Sequence, residues 1–162
     1  MKLLAKINVR PIIFPLSNPV SLCELDYSDA IRWFVFDGRS LVSFTHRRRR
    51  TNGSVIFASG SPYKPVEFEG KIYEPGQGNN MYIFPGIGLG SILSKARHVT
   101  DAMVEQAAIS LASSLTNEEK DCDLVYPRLT RIRDISAQIA LAVIRAAQKD
   151  VSYLGPRREY SI

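Results

Sequence analysis

The sequence has 162 residues, 45% of them hydrophobic and 23% charged, and its 21 Lys and Arg against 16 Asp and Glu give a formal net charge of +5. These values are typical of one globular domain and exclude a disordered chain, collagen and a coiled coil. The longest apolar stretch, residues 81–93, is interrupted by proline and glycine and is shorter than the ~20 residues that a bilayer span requires. We therefore expect no membrane partner.

The first elements are a strand and a short helix. Residues 11–16 form a continuous apolar run between turn formers, which favours a strand buried on both faces of a parallel sheet. Ser21 and Glu24 have the spacing of a capping box, and Ser28 is a second possible cap. This pattern predicts a helix over about residues 22–33.

Most of the net charge lies in residues 34–50, which contain five arginines and one aspartate. The run from Arg47 to Arg50 could contact phosphates, so a small basic nucleic-acid-binding protein is one hypothesis. No aromatic or polar side chains interleave the arginines to recognise bases. A solvated loop, or a segment that does not belong to the fold, is therefore favoured, and we expect no nucleic-acid partner.

Two further extended segments follow. Residues 55–58 are a β-type apolar run that ends at a Ser-Gly-Ser-Pro turn. Residues 66–73 alternate apolar and polar side chains around a glycine, which predicts a small surface hairpin or an extended excursion.

Three helices are predicted in the second half. The first covers about residues 80–95, with Gly86 and Gly90 on one face for close packing against another backbone. The second begins after a Thr100 cap. Its apolar stripe comprises Met103, Val104, Ala107, Ala108, Leu111, Ala112 and Leu115.

A capping box at Thr116 and Glu119 predicts a short turn before the third long helix, which covers about residues 130–149. Its apolar residues recur at helical spacing. The order strand, helix, strand and then helices is typical of an α/β fold.

The residues after each predicted strand are the first candidates for a binding site, because open α/β sheets bind ligands beyond the carboxyl ends of their strands. Asn18 follows the first strand and carries a carboxamide that can donate and accept hydrogen bonds. Ser59 and Ser61 follow the next strand. Turn formation alone is the simpler explanation for all three.

Residues 75–80, Pro-Gly-Gln-Gly-Asn-Asn, stand directly before a predicted helix. The glycines allow a close approach of the backbone to a ligand, and the amino end of a helix favours an anion such as a carboxylate. Capping explains one of Asn79 and Asn80 but not both. The glycines between Gly86 and Gly90 do not complete a dinucleotide fingerprint, so we assign them to helix packing.

No catalytic or metal-binding set emerges from the residues. Cys23 and Cys122 are isolated, His46 and His98 lack ligand spacing, and no acidic cluster is present. A zinc site is not expected. The amino terminus contains no legible targeting signal.

Three of these segments resemble the NAD-binding domain of malic enzymes. The motifs are Arg10 to Pro19 (RPIIFPLSNP), Phe57 to Pro62 (FASGSP) and Pro75 to Asn80 (PGQGNN), the last followed by Tyr82 to Gly86 (YIFPG). The likeness covers about residues 4–149, including Leu124 to Pro127 and the last helix. It implies a partial Rossmann-like domain, three-layered with a mostly parallel sheet and a helical carboxy-terminal part.

The resemblance implies roles for individual residues. Asn18 is similar to the family asparagine that contacts malate and the nicotinamide side of NAD or NADP. Asn79 and Asn80 are similar to paired asparagines that reach the substrate carboxylate, with Asn80 also at the cofactor. Ser17, Ser59 and Gly78 are expected to shape the cofactor cleft.

The resemblance also implies what this chain lacks. The family's catalytic tyrosine and lysine, its ligands for Mg or Mn and its phosphate loop are expected in sequence preceding Met1. The chain is then one partial domain over residues 1–162, a fragment that cannot oxidise malate alone. Residues 34–50 are expected to be an insertion, either translated intron or a genuine loop, and residues 151–162 a divergent tail.

Three functions follow as hypotheses. The first is the carboxy-terminal portion of a malic enzyme, which converts malate to pyruvate and carbon dioxide as an expected homo-oligomer. The second is a silent NAD-binding or regulatory module, and the third is the basic nucleic-acid binder. The choice between NAD and NADP, and between cytoplasm and mitochondrial matrix, stays open.

Overall fold

A computed structural model of the chain describes residues 7–8, 10–33, 55–68 and 70–149. They form two compact units. The first contains the chain up to Gly78 together with Lys120–Val125, and the second contains Asn79–Glu119 and the chain from Tyr126 onward. The predicted insertion at residues 34–50 and the predicted tail at residues 151–162 lie outside the described residues, and the assignment of the chain to one partial domain stays a prediction.

The first unit contains a parallel sheet of three short strands, which confirms the α/β class. The strands are β1 (Ile12–Ile13), β2 (Ile56–Ser59) and β5 (Gly76–Gln77), in the order β1-β2-β5. Ile12 pairs with Ile56, and Ala58 pairs with Gly76.

The prediction that β1 is buried on both faces is wrong. Ile13 packs against the core of the first unit, whereas Ile12 is 63% exposed, and Phe14 and Leu16 are exposed as well. Side chains alternate between the two faces of a sheet. Within the described residues, one face of β1 is therefore covered and the other is not.

Helix α1 (Tyr27–Trp33) begins later than predicted. The backbone N–H of Ser28 donates to Asp26 Oδ1 at 2.7 Å, so Asp26 caps the helix. The predicted capping box at Ser21 does not form, because Glu24 accepts a hydrogen bond from Ser17 instead. A 3-10 helix, Val20–Leu22, precedes this turn.

A hairpin and a small aromatic core complete the first unit. Strands β3 (Val66–Phe68) and β4 (Lys71–Tyr73) pair antiparallel, which confirms the predicted hairpin. Gly70 occupies the turn at a φ of +75°, a backbone conformation that favours glycine. The buried core comprises Tyr27, Ala30, Ile31, Val55 and Phe57.

The second unit is helical. Its helices are α2 (Phe84–Ser94), α3 (Asp101–Ser113), α4 (Asn117–Asp121), which ends beyond the unit, and α5 (Ile132–Lys149). The 3-10 helices Asn80–Tyr82 and Leu129–Arg131 precede α2 and α5. None of the helices within the described ranges is long and apolar enough to cross a membrane.

Two predicted caps are present in the second unit. Thr100 Oγ1 accepts a hydrogen bond from the Met103 N–H at 3.4 Å. Thr116 and Glu119 form a reciprocal capping box. The Thr116 nitrogen lies 2.9 Å from Glu119 Oε2, and the Glu119 nitrogen lies 3.2 Å from Thr116 Oγ1. These bonds satisfy backbone donors that a helix start leaves without an intrahelical partner.

The core of the second unit lies between α2, α3 and α5. Of the stripe predicted on α3, Met103, Ala107 and Leu111 are buried, whereas Val104, Ala108 and Ala112 are exposed and Leu115 is half-buried. The remaining buried residues of this core are Tyr82, Ile135, Ile139, Val143, Ala146 and Ala147. Gly86 and Gly90 face α5, as the glycine spacing predicts.

Candidate functional site

The carboxyl ends of the three parallel strands lie side by side in the first unit. Beyond the strands, the N–H of Gly60 donates to the Pro15 carbonyl at 3.3 Å, and the N–H of Gly78 donates to the Ser59 carbonyl at 2.8 Å. The segments that carry Ser17 and Asn18, Ser59 and Ser61, and Gly78 are thereby adjacent. This edge is where ligands bind in open parallel sheets.

Asn18 is held by the turn after β2. The hydroxyl of Ser61 donates a hydrogen bond to Asn18 Oδ1, and Ser61 itself is only 4% exposed. The Asn18 side chain is exposed, and its Nδ2 has no hydrogen-bond partner among the described residues. The two N–H donors of the carboxamide are therefore without a partner in the described part of the chain.

Gly60 allows the two turns to approach each other. A Cβ at this position would lie 2.5 Å from the Leu16 carbonyl oxygen and 3.1 Å from Asn18 Nδ2. Any side chain here would displace backbone atoms of the first turn. The close approach of the Leu-Ser-Asn and Ser-Gly-Ser segments thus requires glycine.

Ser17 is bonded to an acidic side chain. Its hydroxyl donates to Glu24 Oε1. This hydrogen bond holds the pKa of the Glu24 carboxyl below its ordinary value of 4.5, so the group is ionised at neutral pH. A carboxylate therefore lies against Ser17, and the Ser17 hydroxyl is already engaged.

Ser59 supports the site from inside. It is fully buried, and its Oγ accepts a hydrogen bond from the Ser61 N–H at 3.3 Å. The Cys23 Sγ lies 4.0 Å from the same oxygen. The expected cofactor contact of Ser59 stays a prediction, since its buried hydroxyl orders the turn that carries Ser61.

The paired asparagines belong to the second unit, at the start of the 3-10 helix before α2. Asn79 Oδ1 accepts a hydrogen bond from the Met81 N–H at 3.0 Å and is the cap of that helix. Asn80 is exposed, and its carboxamide has no partner in the described part of the chain. As the sequence predicts, capping explains one asparagine and leaves the second available.

The predicted site residues divide between the two units. Ser17, Asn18, Ser59 and Gly78 lie in the first, and Asn79 and Asn80 begin the second. Their convergence on a single ligand stays a prediction. Sequence reasoning treated Ser61 only as a turn residue and Glu24 only as part of a capping box, and it attached no role to Gly60. The glycine between two serines after an apolar strand is the signal that identifies this turn.

The first unit also contains a cavity that none of the predicted site residues lines, and the described residues contain no metal-binding cluster. An open cavity of about 330 Å³ in the first unit is lined by Val20, Asp26, Tyr27, Ser28 and Pro62–Val66. Within the described ranges, no group of three or more His, Cys, Asp or Glu side chains lies close enough together to hold a metal ion. The described residues therefore do not supply a ligand set for Mg or Mn.

Comparison with known proteins places these motifs in context. Residues 1–148 match the family model described as malic enzyme, NAD-binding domain. An NADP-dependent malic enzyme of Dictyostelium discoideum is 45% identical over 147 residues, which are 91% of this chain and 24% of that protein.

Two further relatives have comparable similarity. An NADP-dependent malic enzyme of Phaseolus vulgaris is 44% identical over 144 residues, 89% of this chain and 22% of the relative. A mitochondrial NAD-dependent malic enzyme of Ascaris suum is 41% identical over 150 residues, 93% of this chain and 21% of the relative. The chain thus spans less than a quarter of the length of these curated relatives.

Proposed function

This chain belongs to the malic enzyme family through its NAD-binding domain, and on that premise we propose that it is the carboxy-terminal portion of such a domain, with a partial Rossmann-like fold. In this role it contributes substrate and cofactor contacts to the oxidative decarboxylation of (S)-malate to pyruvate and carbon dioxide, with NAD or NADP as hydride acceptor. The complete enzyme is expected to be a homo-oligomer.

The observation that carries the proposal is the position of Asn18. Its carboxamide is fixed by Ser61 at the shared carboxyl edge of β1 and β2, with Nδ2 directed away from its protein partner. Malate and pyruvate carry carboxylate oxygens, which accept hydrogen bonds, so a free N–H donor matches them.

Asn79 and Asn80 supply the second group of contacts in the proposal. The Asn80 carboxamide is exposed and unpartnered within the described chain, so its N–H donors are available to a substrate carboxylate. Gly78 precedes them and carries no side chain that could obstruct a ligand at the backbone. Nicotinamide, when bound, accepts the hydride, while these residues bind and orient the reactants.

The described residues do not fit a bound Mg or Mn ion. The described chain offers no cluster of ligands for Mg or Mn, and the proposal assigns no step to a metal held by it. It assigns the metal, the general acid and the general base to other parts of the complete enzyme. The 162 residues by themselves are then expected to bind ligands without turnover.

Binding is tested by titrating the isotope-labelled chain with malate, NAD and NADP and following amide chemical shifts. We expect malate to shift the Asn18 and Asn80 carboxamides, and Asn18→Ala and Asn80→Ala each to weaken malate binding about tenfold, the effect of about 1.4 kcal/mol. Ser94→Ala is the control, because Ser94 is buried in the helical unit and donates only to the Ser91 carbonyl at 3.2 Å. Unchanged malate affinity in both asparagine variants would contradict the proposal.

Turnover is tested separately with the purified chain, malate, Mn and either nucleotide. We expect no reduced nicotinamide to accumulate, and accumulation above a no-malate control would show that the chain is sufficient. A silent NAD-binding module also predicts no turnover. That alternative requires nucleotide binding without malate binding, so the malate titration separates the two functions.

A further inference from the structure

We propose that Ser61 is a positioning residue that makes Asn18 a hydrogen-bond donor toward the substrate. The Ser61 hydroxyl donates a hydrogen bond to Oδ1 of the Asn18 carboxamide. This leaves Nδ2 to donate a hydrogen bond to the ligand. The role in substrate binding rests on the proposed function, whereas the orientation of the carboxamide is a property of the folded chain.

Ser61 is itself anchored from the protein interior. It is 4% exposed, and its N–H donates to the oxygen of Ser59, which is fully buried, at 3.3 Å. A chain of two hydrogen bonds therefore leads from the buried Ser59 to the exposed Asn18. The backbone of Ser61 is fixed by its hydrogen bond to buried Ser59. Its hydroxyl therefore orients Asn18 more strictly than a hydroxyl on a mobile surface loop would.

The packing at Gly60 restricts the same carboxamide. The position of a Cβ on Gly60 would lie 3.1 Å from Asn18 Nδ2, so the amide nitrogen passes close to the backbone of the turn. Asn18 thus contacts this turn in two places. Its amide nitrogen lies close to Gly60, where a side chain would not fit, and its amide oxygen accepts the hydrogen bond from the Ser61 hydroxyl. Both lie in the Ser-Gly-Ser segment after β2.

The two ends of a carboxamide have opposite hydrogen-bonding character, because the oxygen only accepts and the nitrogen only donates. A ligand oxygen at the Nδ2 end is attracted, whereas the same oxygen facing Oδ1 is repelled. Without the Ser61 hydroxyl, rotation about the last side-chain bond exposes either end. The consequence is selection of ligands that present a carboxylate or carbonyl oxygen to Asn18.

The test uses the labelled full chain and four variants. The Asn18 carboxamide pair is assigned by its disappearance in Asn18→Asp. We expect Ser61→Ala to shift and broaden this pair and to weaken malate binding by roughly three- to tenfold, the effect of one hydrogen bond. Ser61→Thr retains a hydroxyl and restores the wild-type signal and affinity, and Ser94→Ala changes neither.

The readouts separate the possible failures. An unchanged Asn18 pair in Ser61→Ala, with a folded amide spectrum, overturns the positioning role even if malate binds. A shifted pair with unchanged malate affinity also overturns it, because the orientation then does not matter for the ligand. Absence of malate binding to the wild-type chain refutes the proposed function, and with it the substrate role of Ser61. If Ser61→Ala fails to fold, Ser61→Cys replaces it with a weaker donor of similar size, and an unchanged Asn18 pair there counts against the proposal.

Discussion

Gly86 of α2 lies directly against Ile139 of α5, where a Cβ on the glycine would fall 2.4 Å from Ile139 Cγ2. One turn later, a Cβ on Gly90 would fall 2.7 Å from Val143 Cβ. Atoms of two helices cannot approach so closely, so each position admits only hydrogen. The glycines weaken α2 by propensity but set the spacing of the two helices.

Gly86→Ala and Gly90→Ala are therefore expected to destabilise the helical unit by about 1–3 kcal/mol each through overpacking. Urea unfolding followed by far-ultraviolet circular dichroism measures the change. Gly88→Ala is the matched control, since nothing lies within 4 Å of its built Cβ, and alanine there favours the helix by about 0.5–1 kcal/mol. Equal destabilisation by all three substitutions would contradict the packing argument.

Glu119 is a buried carboxylate of α4 that holds together the segment between α3 and α5. It is 1% exposed, and it accepts hydrogen bonds from the Thr116 N–H, the Arg128 N–H and Arg131 Nη1 at 2.9, 2.9 and 2.8 Å. Glu119→Gln removes the charge and places donors where acceptors are needed. We expect a loss of about 3–5 kcal/mol in unfolding free energy.

Glu118→Gln is the control for Glu119→Gln. Glu118 also pairs with an arginine, Arg128, at 2.9 Å, but its side chain is 78% exposed. An exposed ion pair contributes about 0–1 kcal/mol. Similar losses in the two variants would show that burial of Glu119 is not what matters.

The pH dependence of stability provides a second test of Glu119. Burial raises the pKa of this carboxyl, but the backbone hydrogen bonds and Arg131 outweigh burial and hold the pKa below 4.5. A depressed pKa means that the stabilisation is complete above pH 4.5 and is lost as the pH falls through the lower folded-state value. Urea titrations from neutral to acidic pH should show a smaller loss in Glu119→Gln than in the wild type.

The sequence predicts well those features of both units whose signals are local. The Thr100 and Thr116 caps, the hairpin turn at Gly70 and the glycine face of α2 each depend on residues within one or two turns of one another. All four features are present in the structure. The family resemblance is confirmed as well, since it depends on contiguous motifs.

The signals that fail are those with a competing partner nearby in the sequence and those that depend on a distant partner. Glu24 has the spacing of a cap for Ser21 but bonds to Ser17, and Asp26 caps α1 instead. The apolar run around Ile12 indicates burial on two faces, but burial depends on what covers each face. The bond from Ser61 to Asn18 joins residues 43 positions apart, and no local pattern encodes it.

Tyr82 offers a test of the buried hydrogen bond from its hydroxyl to the Pro127 carbonyl. Burial, assisted by the charge of Glu119 and by Tyr126, raises the pKa of this phenol from 10.0 to about 12. A raised pKa means that the stabilisation is complete below pH 10.0 and is lost as the pH rises through the folded-state value. Tyr82→Phe leaves the carbonyl unsatisfied and is expected to lower stability by about 1–3 kcal/mol, as measured by urea unfolding at neutral pH.

The spectrum of the phenolate identifies the group directly. The wild type should show one more phenol that titrates near pH 12 than Tyr82→Phe does, in absorbance difference titrations of the folded chain. A difference near pH 10 instead would place the Tyr82 hydroxyl in solvent and contradict the buried bond.

Asn79 and Asn80 should separate stability from ligand binding. Asn79 Oδ1 caps the 3-10 helix through the Met81 N–H, so Asn79→Ala is expected to lower stability by about 0.5–2 kcal/mol, while Asn79→Asp retains the acceptor and loses less. Asn80 is exposed with no side-chain partner in the described chain, so Asn80→Ala should change stability by less than about 0.5 kcal/mol. Thermal unfolding of the variants measures both effects.

The same two variants have a distinct signature in malate titrations. Asn80→Ala is expected to weaken malate binding at unchanged stability, which a purely structural residue cannot do. Asn79→Asp keeps the cap but adds a negative charge beside the proposed carboxylate site, so it should also weaken malate binding, by an amount that falls with added salt. If Asn79→Asp binds malate as tightly as the wild type at low salt, the substrate carboxylate does not lie at this helix start, and the convergence of Asn18, Asn79 and Asn80 on one ligand is wrong.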